Sequence, residues 1–184
     1  MEYNLPSEIV KDLNFGDIAK SKIIAGVEKL AKAVKSTLGA SGKCVIYEDG
    51  RGKPVVTKDG VTVAQSVVLF DPVENIGATL IKEAASNTVK EAGDGTTTAT
   101  VLAEALIKEV NKQNYNECTT REIKKGIVSG LKKINKYLEE TAINVKGDML
   151  GDVSAISCNN DADLGGIIAE AYEKVGKDGV VLME

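Results

Sequence analysis

The helical pattern between residues 72 and 110 constrains the fold most, because a short glycine-containing break divides it in two. Apolar residues at helical spacing predict a first helix from Pro72 to Ala92, with the proline in its first turn. Gly93-Asp94-Gly95 interrupts the pattern, and a second helix is predicted from Thr96 to Val110. The core of the chain is therefore expected to be helical.

Other segments extend this helical pattern. A long amphipathic helix is predicted from Asp17 to Leu38, followed by Gly39 as a left-handed cap. A helix from Thr119 to Glu139 is expected to open with a capping box that Thr119 forms with Glu122. Two shorter helices are predicted at residues 149–157 and 161–175.

Short β-rich runs interrupt the helices. Residues 44–47 and 55–57 flank a turn-forming cluster at 49–52, which predicts a small hairpin, and residues 58–60 predict a second turn. Residues 180–183 predict a strand, although no partner strand follows it. The predicted fold class is mainly α with a small β-hairpin insert, and a change of composition near Ala142 predicts a domain boundary.

Composition excludes several classes of function. The formal charge of −4 comes from mixed charges, so no basic field favours nucleic acid. No apolar run approaches the ~20 residues that span a bilayer, and the first residues lack the order of a secretory signal, so we expect a cytoplasmic chain without a membrane partner. The absence of histidine excludes Ser/His and Cys/His catalysis and histidine-ligated zinc.

The three cysteines lie far apart in the sequence. Cys44, Cys118 and Cys158 form no C-x-x-C pair, which favours reduced thiols in the core over a disulfide framework or a metal site. Because the sequence also has no histidine, any chemistry must use carboxylates, lysine, threonine or backbone amides.

The segment Gly93 to Thr100 is the strongest candidate for a phosphate site. Glycines let the backbone approach a ligand, and the free amides and dipole of a helix start attract phosphate. Thr96, Thr97 and Thr98 add hydroxyl donors, and Asp94 is a candidate ligand for the Mg²⁺ that accompanies a nucleoside triphosphate. On composition alone an ordinary capped loop-to-helix junction is the favoured explanation of the same residues, although three consecutive threonines are unusual at a helix start.

Two further segments carry weaker signals. Lys58 and Asp59 provide a cation for phosphate and an anion for a metal or water, but Asp59-Gly60 between β-rich runs is also typical of a hairpin turn. Residues 37–40 are equally explained by a helix C-cap.

Six segments together resemble the group I chaperonins, the bacterial and organellar GroEL-type family. They occur in the family's order and spacing, and the version of the motif at residues 58–63 distinguishes group I from group II. The segments are Phe15-Gly16, Thr37-Leu38-Gly39, residues 56–64 (VTKDGVTVA), residues 74–78 (ENIGA), residues 92–103 (AGDGTTTATVLA) and residues 175–180 (VGKDGV).

This resemblance implies an equatorial ATP-binding domain over residues 1–140, as the first half of a helical bundle, and the start of an α/β intermediate domain over residues 141–184. It assigns Asp94 to Mg²⁺ and Asp59 to a catalytic position beside the γ-phosphate. The implied ATP-binding residues are Thr37, Leu38, Gly39, Ala40, Lys58, Asp94, Gly95, Thr96, Thr97 and Thr98. Ala40 departs from the family's usual proline, which loosens that loop without removing a ligand atom.

The implied activity is ATP-driven folding of non-native proteins by a ring of subunits, heptameric in the family, in the cytoplasm or an organellar matrix. The sequence stops at Glu184, before the family's apical domain, which binds clients and co-chaperonin, and before the aspartate that positions the attacking water. We therefore expect negligible ATP hydrolysis by this chain alone; phosphate release that Asp94→Ala abolishes would contradict this.

Two alternatives remain open. One is a half-chaperonin that binds nucleotide or modulates longer rings without folding clients, and the other is a monomeric nucleotide-binding protein. Light scattering, alone and with full-length chaperonin, separates them, and we expect aggregation because half an equatorial domain leaves apolar helix faces uncovered.

Overall fold

The computed structural model describes residues 12–39, 41–113, 117–176 and 179–182. Seven helices and one two-stranded hairpin account for the regular structure of these residues, so the predicted fold class, mainly α with a small β insert, is confirmed. In chain order the elements are α1 (Gly16–Lys35), β1 (Val45–Glu48), β2 (Pro54–Thr57), α2 (Gly60–Ser66), α3 (Pro72–Ala92), α4 (Thr96–Lys112), α5 (Thr120–Thr141), α6 (Met149–Ser157) and α7 (Ala162–Val175).

Local capping explains why the predicted ends of α3 and the start of α5 are correct. The Asp71 carboxylate accepts hydrogen bonds from the amides of Val73 and Glu74, at 2.8 and 3.2 Å, and Gly93 ends the helix in a left-handed conformation. At α5 the capping box forms as predicted, since the Thr119 amide donates to the Glu122 carboxylate at 2.9 Å.

The end of α1 differs from the prediction by one turn. The helix stops at Lys35 rather than Leu38, because the amides of Thr37 and Leu38 donate to carbonyls three residues back instead of four. Gly39 has the predicted left-handed conformation, with φ of +72°.

The hairpin is confirmed, but the turn predicted at residues 58–60 is wrong. Strands β1 and β2 pair antiparallel, with Val45 opposite Thr57 and Glu48 opposite Pro54. Residues 58–60 lead directly into α2, because the Asp59 side chain caps a helix rather than closing a turn.

The strand predicted at residues 180–183 is not present in its described part. Residues 179–182 have no regular secondary structure, because no described strand lies beside them to accept and donate ladder hydrogen bonds. Met183 lies outside the described residues.

Contacts divide the chain into two compact units, residues 1–114 and 115–184. This division concerns packing alone, and the domain boundary expected after residue 140 stays a prediction. The core of the first unit is formed by side chains of α1, α2 and α3, among them Val27, Leu30, Val34, Val63 and Ile81.

Helices α1 and α3 approach closely enough for backbone to contact backbone. A methyl group on Gly26 would lie 1.8 Å from the Glu74 carbonyl oxygen, and one on Gly77 would lie 2.0 Å from the Ile23 carbonyl oxygen. Both positions therefore require glycine for the two helices to pack at this distance.

In the second unit, α6 and α7 pack against each other while α5 stands apart. A methyl group on Gly165 would lie 2.5 Å from the Ala155 Cα, which shows how close α6 and α7 are. Helix α5 buries none of its residues, and Leu131, Ile134 and Leu138 are each more than half exposed.

The prediction that the cysteines are core thiols is wrong for two of them. Cys44 and Cys118 are exposed and Cys158 is half-buried, and all three are free. Cys44 directly precedes β1 and Cys118 directly precedes the cap of α5, so neither lies within an element that packs into the core. None of the described helices combines the length and apolar character that crossing a membrane needs.

Candidate functional site

The three predicted ligand segments converge around Gly60, the first residue of α2. A methyl group on Gly60 would lie 2.2 Å from the Thr97 hydroxyl oxygen and 3.5 Å from Val34 Cγ1. Thr97 lies in the first turn of α4, and Val34 lies in the last turn of α1, three residues before Thr37. The start of α2, the start of α4 and the end of α1 therefore meet at one place.

The start of α4 has the properties expected of an anion site. Gly95 precedes the helix with φ of +90°, a conformation that favours glycine, and no described side chain caps this end. The first intrahelical bond runs from the Ala99 amide to the Gly95 carbonyl at 2.8 Å, so the amides of Thr96, Thr97 and Thr98 have no partner in the described structure. These donors and the helix dipole attract a negative group.

Asp94 lies exposed beside this helix start. One carboxylate oxygen accepts a hydrogen bond from the Gly95 amide at 2.6 Å, which fixes the turn, and the other oxygen has no described hydrogen-bond partner. The geometry thus leaves a carboxylate oxygen next to free amides.

The three threonines of α4 do not act as one set of donors. Thr96 is buried, Thr97 is half-buried against Gly60, and Thr98 is exposed. Successive helical side chains point about 100° apart, so their hydroxyls face different directions while their amides point along the helix axis together. The amides, rather than the hydroxyls, form the common anion-binding feature.

Asp59 is held in place by the helix it caps. Its carboxylate accepts hydrogen bonds from the Thr62 hydroxyl at 2.5 Å, the Thr62 amide at 2.8 Å and the Val61 amide at 3.3 Å. Partial burial alone raises the pKa of Asp59, but these hydrogen bonds outweigh it and set the pKa below its ordinary value. A carboxylate of this kind stays ionised near neutral pH and orders a cation or water better than it accepts a proton.

The loop after α1 is tightly closed. The Gly42 amide donates to the Gly39 carbonyl at 2.9 Å, and the Lys43 amide donates to the Ser36 carbonyl at 2.7 Å. The Thr37 hydroxyl donates to the Val34 carbonyl, and the Leu38 side chain is about half exposed. Leu38 and Gly39 therefore present an open apolar surface, whereas Ala40 lies outside the described residues.

The structure does not bring the side chain of every predicted ligand residue into contact with the others. Lys58 is exposed and forms no described hydrogen bond or ion pair, so only its position beside Asp59 places it near the α4 start. The whole set of predicted ligand residues therefore stays a prediction, although the segments that carry them are adjacent.

A cavity of about 410 Å³ lies between α2 and α3, away from the predicted ligands. Gln65, Thr79, Lys82 and Lys90 contribute to its wall, and none of the predicted ligand residues does. This cavity is therefore distinct from the predicted nucleotide site.

The sequence interpretation missed Glu104, which is only 5% exposed. Its carboxylate forms an ion pair with Lys35 at the end of α1, and its second oxygen lies 3.7 Å from Lys108. Lys108 also pairs with Glu28 at 2.8 Å. Glu104 follows Thr100 by one helical turn, so the spacing puts both residues on one face of α4, but the burial of that face is visible only in the fold.

The structure combines a helical core, a short hairpin and a glycine-flanked helix start beside a capped helix. This combination is consistent with the equatorial-domain-like fold of the chaperonins. Residues 30–182 match the TCP-1/cpn60 chaperonin family, and the chain belongs to that family. The predicted chaperonin resemblance is thereby confirmed.

The fold is also similar to a solved chaperonin. This is gp146 from the bacteriophage EL 2 (Pseudomonas aeruginosa), crystallised in two forms in the presence of ATP-BeFx. In each form the sequence identity is 30% and the TM-score is 0.73, over 86% of this chain. The match covers 28% of the gp146 chain, so this chain spans little more than a quarter of that relative's length.

Proposed function

We propose that this chain contributes the phosphate-binding part of an ATP site to a group I chaperonin ring subunit, which assists the folding of non-native proteins. The observation that carries the proposal is the uncapped start of α4, packed through Thr97 against Gly60 and next to Asp59. Family membership and a relative crystallised with ATP-BeFx support the same nucleotide. The cytoplasm or an organellar matrix is the corresponding location.

The residues at this site fit a phosphate chain. The free amides of Thr96, Thr97 and Thr98 would hold the β- and γ-phosphates, as in other glycine-flanked helix starts. Lys58 would add positive charge, and the surface of Leu38 and Gly39 would lie against the rest of the nucleotide.

Asp94 also fits a magnesium ion. No group of three or more acidic or sulfur side chains is close enough to hold a metal anywhere in the described residues, so the protein alone builds no metal cage. Mg²⁺ is usually bound by one or two carboxylates together with phosphate oxygens and water, which an exposed Asp94 allows. When bound, the ion would neutralise phosphate charge.

The test is a calorimetric measurement of ATP binding by the purified chain, with and without Mg²⁺. Asp94→Asn should weaken Mg-ATP binding by about tenfold and leave Mg-free ATP binding unchanged, because it removes one metal ligand but no phosphate ligand. Glu91→Gln, an exposed acid three residues earlier, is the matched control and should change neither. Equal losses with and without Mg²⁺ would contradict the metal role of Asp94.

Exposure of α5 favours a second candidate function, a module that joins longer chaperonin chains without folding clients. The helix buries none of its residues and exposes Leu131, Ile134 and Leu138. Mass measurement after mixing with full-length chaperonin shows whether the chain joins the ring, and a refolding assay shows whether clients benefit. Incorporation into the ring without a gain in client refolding supports the module.

A further inference from the structure

Helix α2 has only seven residues and is held at both ends by side chains. Asp59 caps its first turn. At the other end the Lys82 ammonium, from α3, donates to the Val67 carbonyl and lies 3.4 Å from the Gln65 carbonyl. The last carbonyls of a helix lack intrahelical partners, and a cation there also complements the helix dipole.

Lys82 has no other electrostatic partner in the described residues. Burial lowers the pKa of Lys82, and the described structure pairs it with no carboxylate. An ammonium that loses water without gaining an anion is retained through the carbonyl oxygens it contacts. The contact between α3 and the end of α2 is therefore the main interaction of this side chain.

The N-terminal end of α2 is closely packed. The Gly60 backbone lies against the Thr97 hydroxyl and near Val34, and Val63 lies in the core. A seven-residue helix is only about 10 Å long and its backbone hydrogen bonds connect its two ends, so we expect a shift at Val67 to reach Asp59.

We infer that Lys82 is a positioning residue for the ATP site: it holds the C-terminal end of α2 so that Asp59 and Gly60 lie against the first turn of α4. The inference rests on the proposed function for its consequence on nucleotide binding. The anchoring of α2 is independent of that function and can be measured separately.

The experiment compares the full chain with Lys82→Met, which keeps the apolar stem and removes the charge. Hydrogen exchange of the amides in residues 61–66 should accelerate by about tenfold, because α2 opens more readily. Mg-ATP affinity should fall by about fivefold, because small displacements of positioned groups weaken ligand binding. Lys82→Arg, which keeps a charged donor, should restore most of both properties.

Lys90→Met is the matched control. Lys90 lies on the same helix and contributes to the same cavity, but it forms no described hydrogen bond or ion pair. It should leave exchange and affinity unchanged. If Lys82→Met does not fold, Lys82→Gln is measured in the same way.

A double variant with Asp59→Asn distinguishes a positioning role of Lys82 from a general loss of stability. Combined with Asp59→Asn, Lys82→Met should weaken Mg-ATP affinity by less than the product of the two single effects, since both act through one carboxylate. Unchanged exchange at residues 61–66, or fully multiplicative losses of affinity, would overturn the inference. Failure of the unaltered chain to bind Mg-ATP would instead overturn the proposed function, while the exchange measurement would still decide whether Lys82 anchors α2.

Discussion

The hydroxyl of Thr97 lies against the backbone of Gly60, so close that a methyl group on Gly60 would come within 2.2 Å of it. This contact joins the starts of two helices that are separated by 36 residues of sequence, and it brings the segment that carries Asp59 to the first turn of α4. Because both segments belong to the proposed ATP site, the contact links the stability of the fold to nucleotide binding.

Gly60→Ala should therefore displace α2 from α4. Relieving the clash requires a shift of helix backbone or of Thr97, which should lower the free energy of unfolding by about 1–3 kcal/mol and weaken Mg-ATP binding. Urea unfolding and calorimetry measure the two effects. Gly60→Ala combined with Thr97→Ser keeps the clashing hydroxyl, whereas Thr97→Ala removes it, so only the alanine pair should regain stability.

The α1–α3 crossing leads to a second prediction, for Gly26→Ala. The new methyl group would meet the Glu74 carbonyl oxygen at 1.8 Å, and backbone cannot move aside as a side chain can, so the two helices must separate. We expect a loss of at least about 2 kcal/mol in unfolding free energy, in the range of severe overpacking.

Gly130→Ala provides the matched control for this substitution. Nothing lies within 4 Å of the position that its methyl group would occupy on α5, and the helix is exposed. Alanine should stabilise α5 by about 0.5–1 kcal/mol, seen as a higher helix content on heating. Equal destabilisation at both glycines would show that the close approach of α1 and α3 is not the cause.

Local signals account for what the sequence predicted correctly. Asp71 and Gly93 lie within one residue of the ends of α3, and the capping box lies at the start of α5, so these helices could be placed from short patterns. Asp59-Gly60 was ambiguous, because the same two residues are typical of a hairpin turn and of a helix start.

Contacts between distant segments could not be predicted in this way. The positions of Thr97 against Gly60, of Lys82 on the end of α2 and of Glu104 against Lys35 depend on how helices cross, and no local pattern specifies a crossing. The motifs in family order indicated that the ligand segments belong together, whereas the residues that hold them together became visible only in the fold.

Glu104→Gln tests the charge on the inward face of α4. The substitution keeps the size of the side chain but removes the partner of Lys35 and Lys108, and we expect a loss of about 1–3 kcal/mol in unfolding free energy. Glu109→Gln on the same helix breaks an exposed pair with Lys112 and should change stability by less than about 0.5 kcal/mol. Similar small effects for both variants would mean that burial does not strengthen the Glu104 pairs.

Acid should destabilise the first unit in part through Asp71. The hydrogen bond from Lys22, followed by the amide of Glu74, sets the pKa of Asp71 below its ordinary value of 3.8. A carboxylate with a lowered folded-state pKa contributes stability above its unfolded-state value, and that stability is lost as the pH falls through the folded-state value. Asp71→Asn, which can still cap α3 but cannot titrate, should make stability depend less on pH below about 4. Urea midpoints between pH 6 and pH 2.5 measure this dependence, and an unaltered slope would exclude Asp71 as a contributor.

The exposed face of α5 should make the chain associate. Leu131, Ile134 and Leu138 lie at spacings of three and four residues, so they form one apolar stripe that the described structure leaves uncovered. Replacing Leu131 and Ile134 by lysine should lower the scattering mass of the concentrated chain while leaving Mg-ATP affinity unchanged, because the proposed ATP site lies in the other unit. Ser129→Lys with Asn135→Lys, which adds the same two positive charges on α5 without removing an apolar side chain, is the control and should leave association as it is. If the control disperses the chain as effectively as the paired lysines, charge repulsion rather than the apolar stripe governs association, and the second candidate function loses its supporting surface.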